Sequence, residues 1–449
     1  PLVTLAKGAS AATPSAGGLV TYSLDFTAAS TTYNSHAFDL TVEDTLGLGL
    51  LYEPGSATLN GAPLTDPVTN GGDGINTAQI LRWDLANGAN IDVSRGTTTT
   101  VTYQARLLST VTPGQVLANS AIGHWTSLDG DLSAIERTGS GAPAQNDYFT
   151  VPAVSTVTAS DSTRLRKRVI GDSYAEVPAS TTNPVVRIGD TVDYRLILDL
   201  QEGTTQNVVV EDILPLGMVL DSFTVSTDPN FSYTLAVQPT VGDTGLLRWE
   251  FGDIVNTPSY DGSLVDTLRI NYVARVVPDY PPLGVGHTLS SSLSNQASLS
   301  YTGGDPLLEP SRLTAGRTVD VRRPRMQPVS KVDLGGGRVG MGTAADPYQI
   351  NIVSDVMNFQ LSSCNTGLAP AYDVLLTDLL APELDEADLV ANPPVVRIGA
   401  ATLVAGTDYS YSAPARGGEM RFELQDSAPV PAGECVTIDY DIGFHNDLA

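Results

Sequence analysis

Internal repetition constrains this chain of 449 residues more than any other feature. Leu40-Thr-Val-Glu-Asp-Thr-Leu46 matches Val208-Val-Val-Glu-Asp-Ile-Leu214 and Val374-Leu-Leu-Thr-Asp-Leu-Leu380. Leu81-Arg-Trp-Asp-Leu85 matches Leu247-Arg-Trp-Glu-Phe251 and Met420-Arg-Phe-Glu-Leu424, and a third landmark runs over 101–107, 269–276 and 436–444. A unit met three times is one fold written three times. The spacing predicts domains over 1–160 and 161–325 and a divergent one over 326–449, in keeping with ordinary domain size. Segments 127–162 and 302–328, polar or rich in Gly and Pro, each hold an extra strand and a linker.

Each copy is written in period two. Val101, Tyr103, Ala105 and Leu107 alternate with polar residues, as do Leu268, Ile270, Tyr272, Ala274 and Val276, which is the signature of half-buried strands. Turn signals such as Asn70-Gly-Gly-Asp-Gly74 interrupt the runs, and no sustained helical stripe occurs. The fold class is therefore all-β, as tandem β-sandwich domains in a row. With 50 acidic against 24 basic residues, the net charge of −26 repels phosphate backbones and anionic lipid, so nucleic-acid and membrane-surface partners are not expected. No apolar run is long enough to insert in a membrane. A start at Pro1 without a basic and apolar leader reads as a mature piece or an excised fragment. His36, His124, His287 and His445 lie far apart and the two cysteines form no metal-ligand pair, so a zinc site is not expected.

Of the 24 basic residues only three are lysines, and Lys7, Lys167 and Lys331 are separated by 160 and 164 residues, one at the opening strand of each copy. Parity places Lys7 with Val3 and Leu5, and Lys167 with Leu165 and Val169, on the inward face; Arg164, Arg166 and Arg168 take the other. Lys331 shares parity with Val329. An inward ammonium needs a partner or loses its proton. Asp44, Asp212 and Asp378 supply the recurring inward acid, whereas Glu43 and Glu211 point outward and Thr377 replaces them in the third copy. Asn119, between Leu117 and Ala121, and Asn295, between Leu293 and Ala297, add a third inward polar group; in the third copy the late candidate is Asn446, out of register with Asn295.

The Lys, Asp, Asn order, the segment Asp212-Ile-Leu-Pro215 and the pairs Asn119-Ser-Ala121 and Asn295-Gln-Ala297 resemble the isopeptide-forming, immunoglobulin-like repeat domains of bacterial fimbrial and surface-adhesion proteins. The resemblance covers all three copies, the third in part. It implies immunoglobulin-like sandwiches, autocatalytic bonds joining Lys7 to Asn119, Lys167 to Asn295 and Lys331 to Asn446, and Asp44, Asp212 and Asp378 as catalysts of one self-reaction each rather than of turnover. It further implies a stalk segment on the outside of a bacterial cell, whose partners are further repeats of the same protein and an unidentified host, surface or neighbouring-cell ligand.

The residue types suit that chemistry. Burial favours a neutral, nucleophilic amine and a protonated acid able to polarise the carboxamide. The alternative is a buried Lys–Asp ion pair with Asn as a hydrogen-bond partner. Arg is the usual choice for such a pair, and this chain, rich in Arg, uses Lys at all three places. A second alternative for the whole chain is a ligand-binding adhesin module for carbohydrate, protein or calcium. No cofactor is expected; calcium stays open, but neither Asp129-Gly-Asp131 nor the 71–74 loop has the spacing of a calcium loop. Arg82-Trp83 and Arg248-Trp249 read as strands with Trp packed inward rather than as sugar platforms. Cys364 and Cys435 share a copy and are a candidate pair for a disulfide in an oxidising compartment, away from the inner face; the sequence leaves open whether they are bridged.

Overall fold

The structure, a computed structural model, describes residues 1–449 apart from 11–12, 131–134, 142–144, 173–182, 260–264, 278, 281–284, 287–290, 304–310, 336–339, 341–342, 348, 353 and 446–449. His287, Asp131 and Asn446 lie outside the described residues. Among the described residues the chain is all-β, with one short α-helix, Ala387–Ala391, in the acidic stretch of the third copy. Among the described residues no helix is long and apolar enough to cross a membrane.

Each copy is a two-sheet sandwich. In the first, the lysine strand Val3–Ala9 pairs with Leu19–Ala28, which pairs with the tyrosine strand Thr98–Leu107. The facing sheet places Ala153–Thr158, the asparagine strand Val116–Thr126, the aspartate strand Phe38–Leu46 and Ile80–Trp83 side by side. The second copy repeats both orders: Arg164–Asp172, Thr191–Gln201 and Val265–Val276 in one sheet, and Ser311–Arg322, Ser291–Thr302, Gly203–Ile213 and Leu246–Asn256 in the other. In the third, Ser330–Asp333, Met357–Cys364 and Cys435–Ile442 form the lysine sheet, while Leu375–Leu379 pairs with Glu419–Leu424.

Inward residues at every second position build three separate cores, from Val3 to Ala159, from Leu165 to Val321 and from Leu361 to Ile442. Trp83 and Trp249 are fully buried in the first two, and Phe422 stands in the third. Asp39, Asn207 and Asp373, each five residues before the inward aspartate, adopt left-handed φ of 48°, 52° and 49°. Asp and Asn tolerate that region better than other side chains, so one irregularity at the head of the aspartate strand is built into every copy.

Candidate functional site

The site lies between the sheets, and strand register sets it. Lys7 is opposite Leu24, and Tyr22 is opposite Tyr103. Lys167 is likewise opposite Leu196, and Tyr194 opposite Tyr272. One sheet thus presents a lysine and two tyrosines to the interior. The facing sheet presents the acid and the amide: Asp44 is paired with Ala121 and Asn119 with Leu46 on adjacent strands, and Asp212 is paired with Ala297, two residues past Asn295.

In the second copy the Lys167 Nζ lies 2.5 Å from Asp212 Oδ2 and 2.9 Å from the Tyr272 hydroxyl. That hydroxyl donates to Asp212 Oδ2 at 2.7 Å and accepts from Asn295 Nδ2 at 2.7 Å. The first copy repeats the arrangement: Lys7 Nζ contacts Asp44 Oδ2 and lies 3.5 Å from the Tyr103 hydroxyl, which donates to Asp44 at 2.6 Å and accepts from Asn119 Nδ2 at 2.7 Å. The lysine and aspartate side chains are wholly buried in both, as are Asn119 and Asn295. Tyr22 and Tyr194 close the other side, with the ammonium 5.2 and 5.0 Å from their ring centres. Amine, acid and amide therefore converge on one hydroxyl.

Burial sets the protonation. It lowers the Lys7 amine and brings Lys167 down to about 8, against the pull of the neighbouring aspartate, and it raises Asp44 and Asp212 despite the lysine beside each. Burial and the adjacent aspartate hold the Tyr103 and Tyr272 hydroxyls well above the ordinary phenol value, so both remain donors. Asp44 Oδ1, Asn119 Oδ1, Asp212 Oδ1 and Asn295 Oδ1 are all buried without a hydrogen-bond donor. Two orphaned acceptors per site are costly as long as no proton lies between them.

The third copy differs. Lys331 Nζ bonds both oxygens of Asp378, at 2.9 and 2.8 Å, and the Tyr440 hydroxyl donates to Asp378 at 2.5 Å. Phe359 stands where Tyr22 and Tyr194 stand, with Lys331 4.3 Å from its ring centre. The Lys331 side chain is 32 % exposed, against 0 % for Lys7 and Lys167. Among the described residues no asparagine joins this pair. The sulfurs of Cys364 and Cys435, directly opposite on adjacent strands of the lysine sheet, are bonded.

Parity alone brought Lys7, Asp44 and Asn119 together, and Lys167, Asp212 and Asn295. It overlooked the tyrosines. Their signal was in the third landmark, where Tyr103, Tyr272 and Tyr440 recur at one place, but an inward aromatic in an alternating strand looks like any core residue.

No protein family's sequence profile matches this chain, and no curated protein is similar to it. Solved structures that resemble it include the C-terminal domain of the antigen I/II polypeptide BspA of Streptococcus agalactiae, at 12 % identity and a TM-score of 0.26 over 71 % of this chain and 99 % of that one. A C-terminal fragment of the major pilin of Streptococcus agalactiae matches at 11 % and 0.25 over 63 % and 79 %. The pilus backbone of Streptococcus pneumoniae matches at 11 % and 0.23 over 63 % and 49 %. Likeness at this level carries no weight for function, which rests on the chain's own sites.

Proposed function

We propose that this chain is a stalk segment of a bacterial surface adhesin or fimbrial protein, exposed outside the cell. Its domains 1–160, 161–325 and 326–449 stand in series, and the first two are each locked by an autocatalytic bond between Lys7 and Asn119 and between Lys167 and Asn295. The observation that carries the reading is the convergence of a buried lysine, aspartate and asparagine on one tyrosine hydroxyl, twice over, in a chain whose only other lysine is Lys331. A structural ion pair has no need of the amide, and a lysine is the weaker choice for it.

In this reading the proton moves from the lysine to the aspartate, favoured by burial of both. The protonated acid then offers its O–H to the orphaned carboxamide oxygen. The neutral amine attacks Cγ of the asparagine, forming the new C–N bond. The aspartate passes its proton to Nδ2, the Cγ–Nδ2 bond breaks and ammonia leaves. The aspartate takes the second proton from the lysine nitrogen, which keeps one N–H in the new amide. The acid ends protonated, so one amide is exchanged for another and atoms balance. The tyrosine hydroxyl positions the acid and the amide for this step. Contact between the groups supplies the effective concentration that so slow an acyl transfer requires.

Intact-mass measurement tests it. The folded chain should be lighter than its sequence by two ammonias, and a tryptic digest should hold a branched peptide joining Lys7 to Asn119. Asp44→Ala should restore one ammonia while Glu43→Ala changes nothing. A mass equal to the sequence value refutes the covalent lock. For the third copy, Lys331, Asp378 and Asn446 remain the proposed set, and a third ammonia would be their signature.

A further inference from the structure

A second cluster lies at the head of the aspartate strand in the first copy. Carboxylate oxygens of Asp39, Asp92 and Asp129 come within 4.8 Å of one another. The three acids come from separate segments, and among the described residues none of them forms an ion pair. Arg82, which lines a cavity together with Asp39, is engaged by Asp84 at 2.7 Å and Glu43 at 3.5 Å. Asp39 is only 8 % exposed. Its Oδ2 accepts from the Gly130 N–H at 2.8 Å and the Thr126 hydroxyl at 3.2 Å, whereas its Oδ1 is buried with no donor at all. Asp92 Oδ1 accepts the Asp39 N–H at 3.1 Å. Burial, together with the charges of Asp129 and Asp39, holds the Asp92 carboxyl above its ordinary value.

We propose that Asp39, Asp92 and Asp129 bind one Ca²⁺. Three oxygens no more than 4.8 Å apart share a point within about 2.8 Å of each, so a shift of a few tenths of an ångström brings all three to the 2.3–2.6 Å typical of Ca–O bonds. Oxygen-only ligands from one strand and two loops suit the irregular shell of calcium better than the near-octahedral shell that Mg²⁺ demands. The ion gives the orphaned Asp39 oxygen a partner and removes the repulsion among three acids left without a cation. It also ties the head of the aspartate strand to the loops at 92 and 129.

The other copies serve as internal controls. In the second, the left-handed position holds Asn207, whose N–H is taken by Asp253 at 3.0 Å and whose amide donates to Thr302 at 2.9 Å, so no carboxylate faces Asp253 there. In the third, Asp373 is raised chiefly by the charge of Asp426 and further by that of Glu423, but among the described residues these acids do not bring three ligand oxygens within 4.8 Å of one another. The site belongs to the first copy alone, and its ligands are too far apart in sequence for any calcium-loop spacing to reveal them.

Calorimetric titration of the full chain with CaCl₂ after chelator treatment tests this. One Ca²⁺ per chain should bind, with a dissociation constant on the order of 10⁻⁴–10⁻³ M, the range of extracellular modules, and with little competition from equimolar Mg²⁺. Asp39→Asn, the residue that the second copy carries at this position in a folded domain, and Asp129→Asn, in an exposed turn, should each weaken binding about tenfold or more, because affinity follows ligand charge. Asp426→Asn should leave it unchanged. No uptake at ten times that concentration, or affinity unmoved by Asp39→Asn and Asp129→Asn in chains with the parent circular dichroism, overturns the proposal.

Discussion

Lys167 and Lys331 each bond an inward aspartate but stand in different surroundings. Complete burial brings the Lys167 amine down to about 8 against the pull of Asp212, while Lys331, a third exposed, bonds both oxygens of its aspartate. The difference gives a test that needs no mass spectrum. In an Asn295→Ala chain the lysine has nothing to acylate it. Between pH 8 and the ordinary lysine value of 10.5 the unfolded chain then holds the Lys167 proton and the folded chain does not. The unfolded state binds more protons, so stability rises with pH across that window. In the parent chain an acylated nitrogen no longer titrates and the rise is absent. Urea midpoints for both chains between pH 8 and 10.5 measure this. Parallel curves would mean that Lys167 keeps a free amine in the parent.

At the scale of strands, the third copy has the least to hold it together, with a smaller core than the other two and a lysine site that lacks an amide among the described residues. Its disulfide joins neighbouring strands across a separation of 71 residues. Closing a loop of that length in the unfolded chain stabilises by about 4 kcal/mol on the chain-entropy account. Cys364→Ser with Cys435→Ser should therefore lower the unfolding temperature of one calorimetric transition, and reductant should move that transition in the parent while leaving the other two in place. Period two made the strands and inward faces legible in the sequence, because alternation is enforced wherever one face is buried. Lys7, Asp44 and Asn119 were legible for the same reason, since a polar residue on an apolar face stands out. Tyr103 did not, being apolar enough to pass as core. Asp39, Asp92 and Asp129 did not either, since the loops that hold 92 and 129 carry no periodicity and only the folded chain brings them to position 39 on its strand.

At the scale of the molecule, the position of the proposed bonds decides what tension would do. Lys7 is on the first strand of its domain and Asn119 on a late one, so a bond between them would let the covalent path enter, cross the sandwich and leave without passing along the strands between. About 110 residues of the first domain and about 130 of the second would then lie inside such loops and bear no load. The segments from Asn119 to Lys167 and beyond Asn295 stay in the line of force. They include the strands Ala153–Thr158 and Ser311–Arg322, which pair with the asparagine strands and can peel from them. A single-molecule pull on the full chain should show short extensions from those segments and a full release from the third domain only if its lysine is unlinked. At about 3.4 Å per residue, Lys7→Ala should add up to about 380 Å of contour length and Lys167→Ala up to about 440 Å. Each change should appear alone, because each loop closes within one domain. If the unmutated chain already releases those lengths, the domains are held by packing and hydrogen bonds alone, and the lysines are no more than buried partners of Asp44 and Asp212.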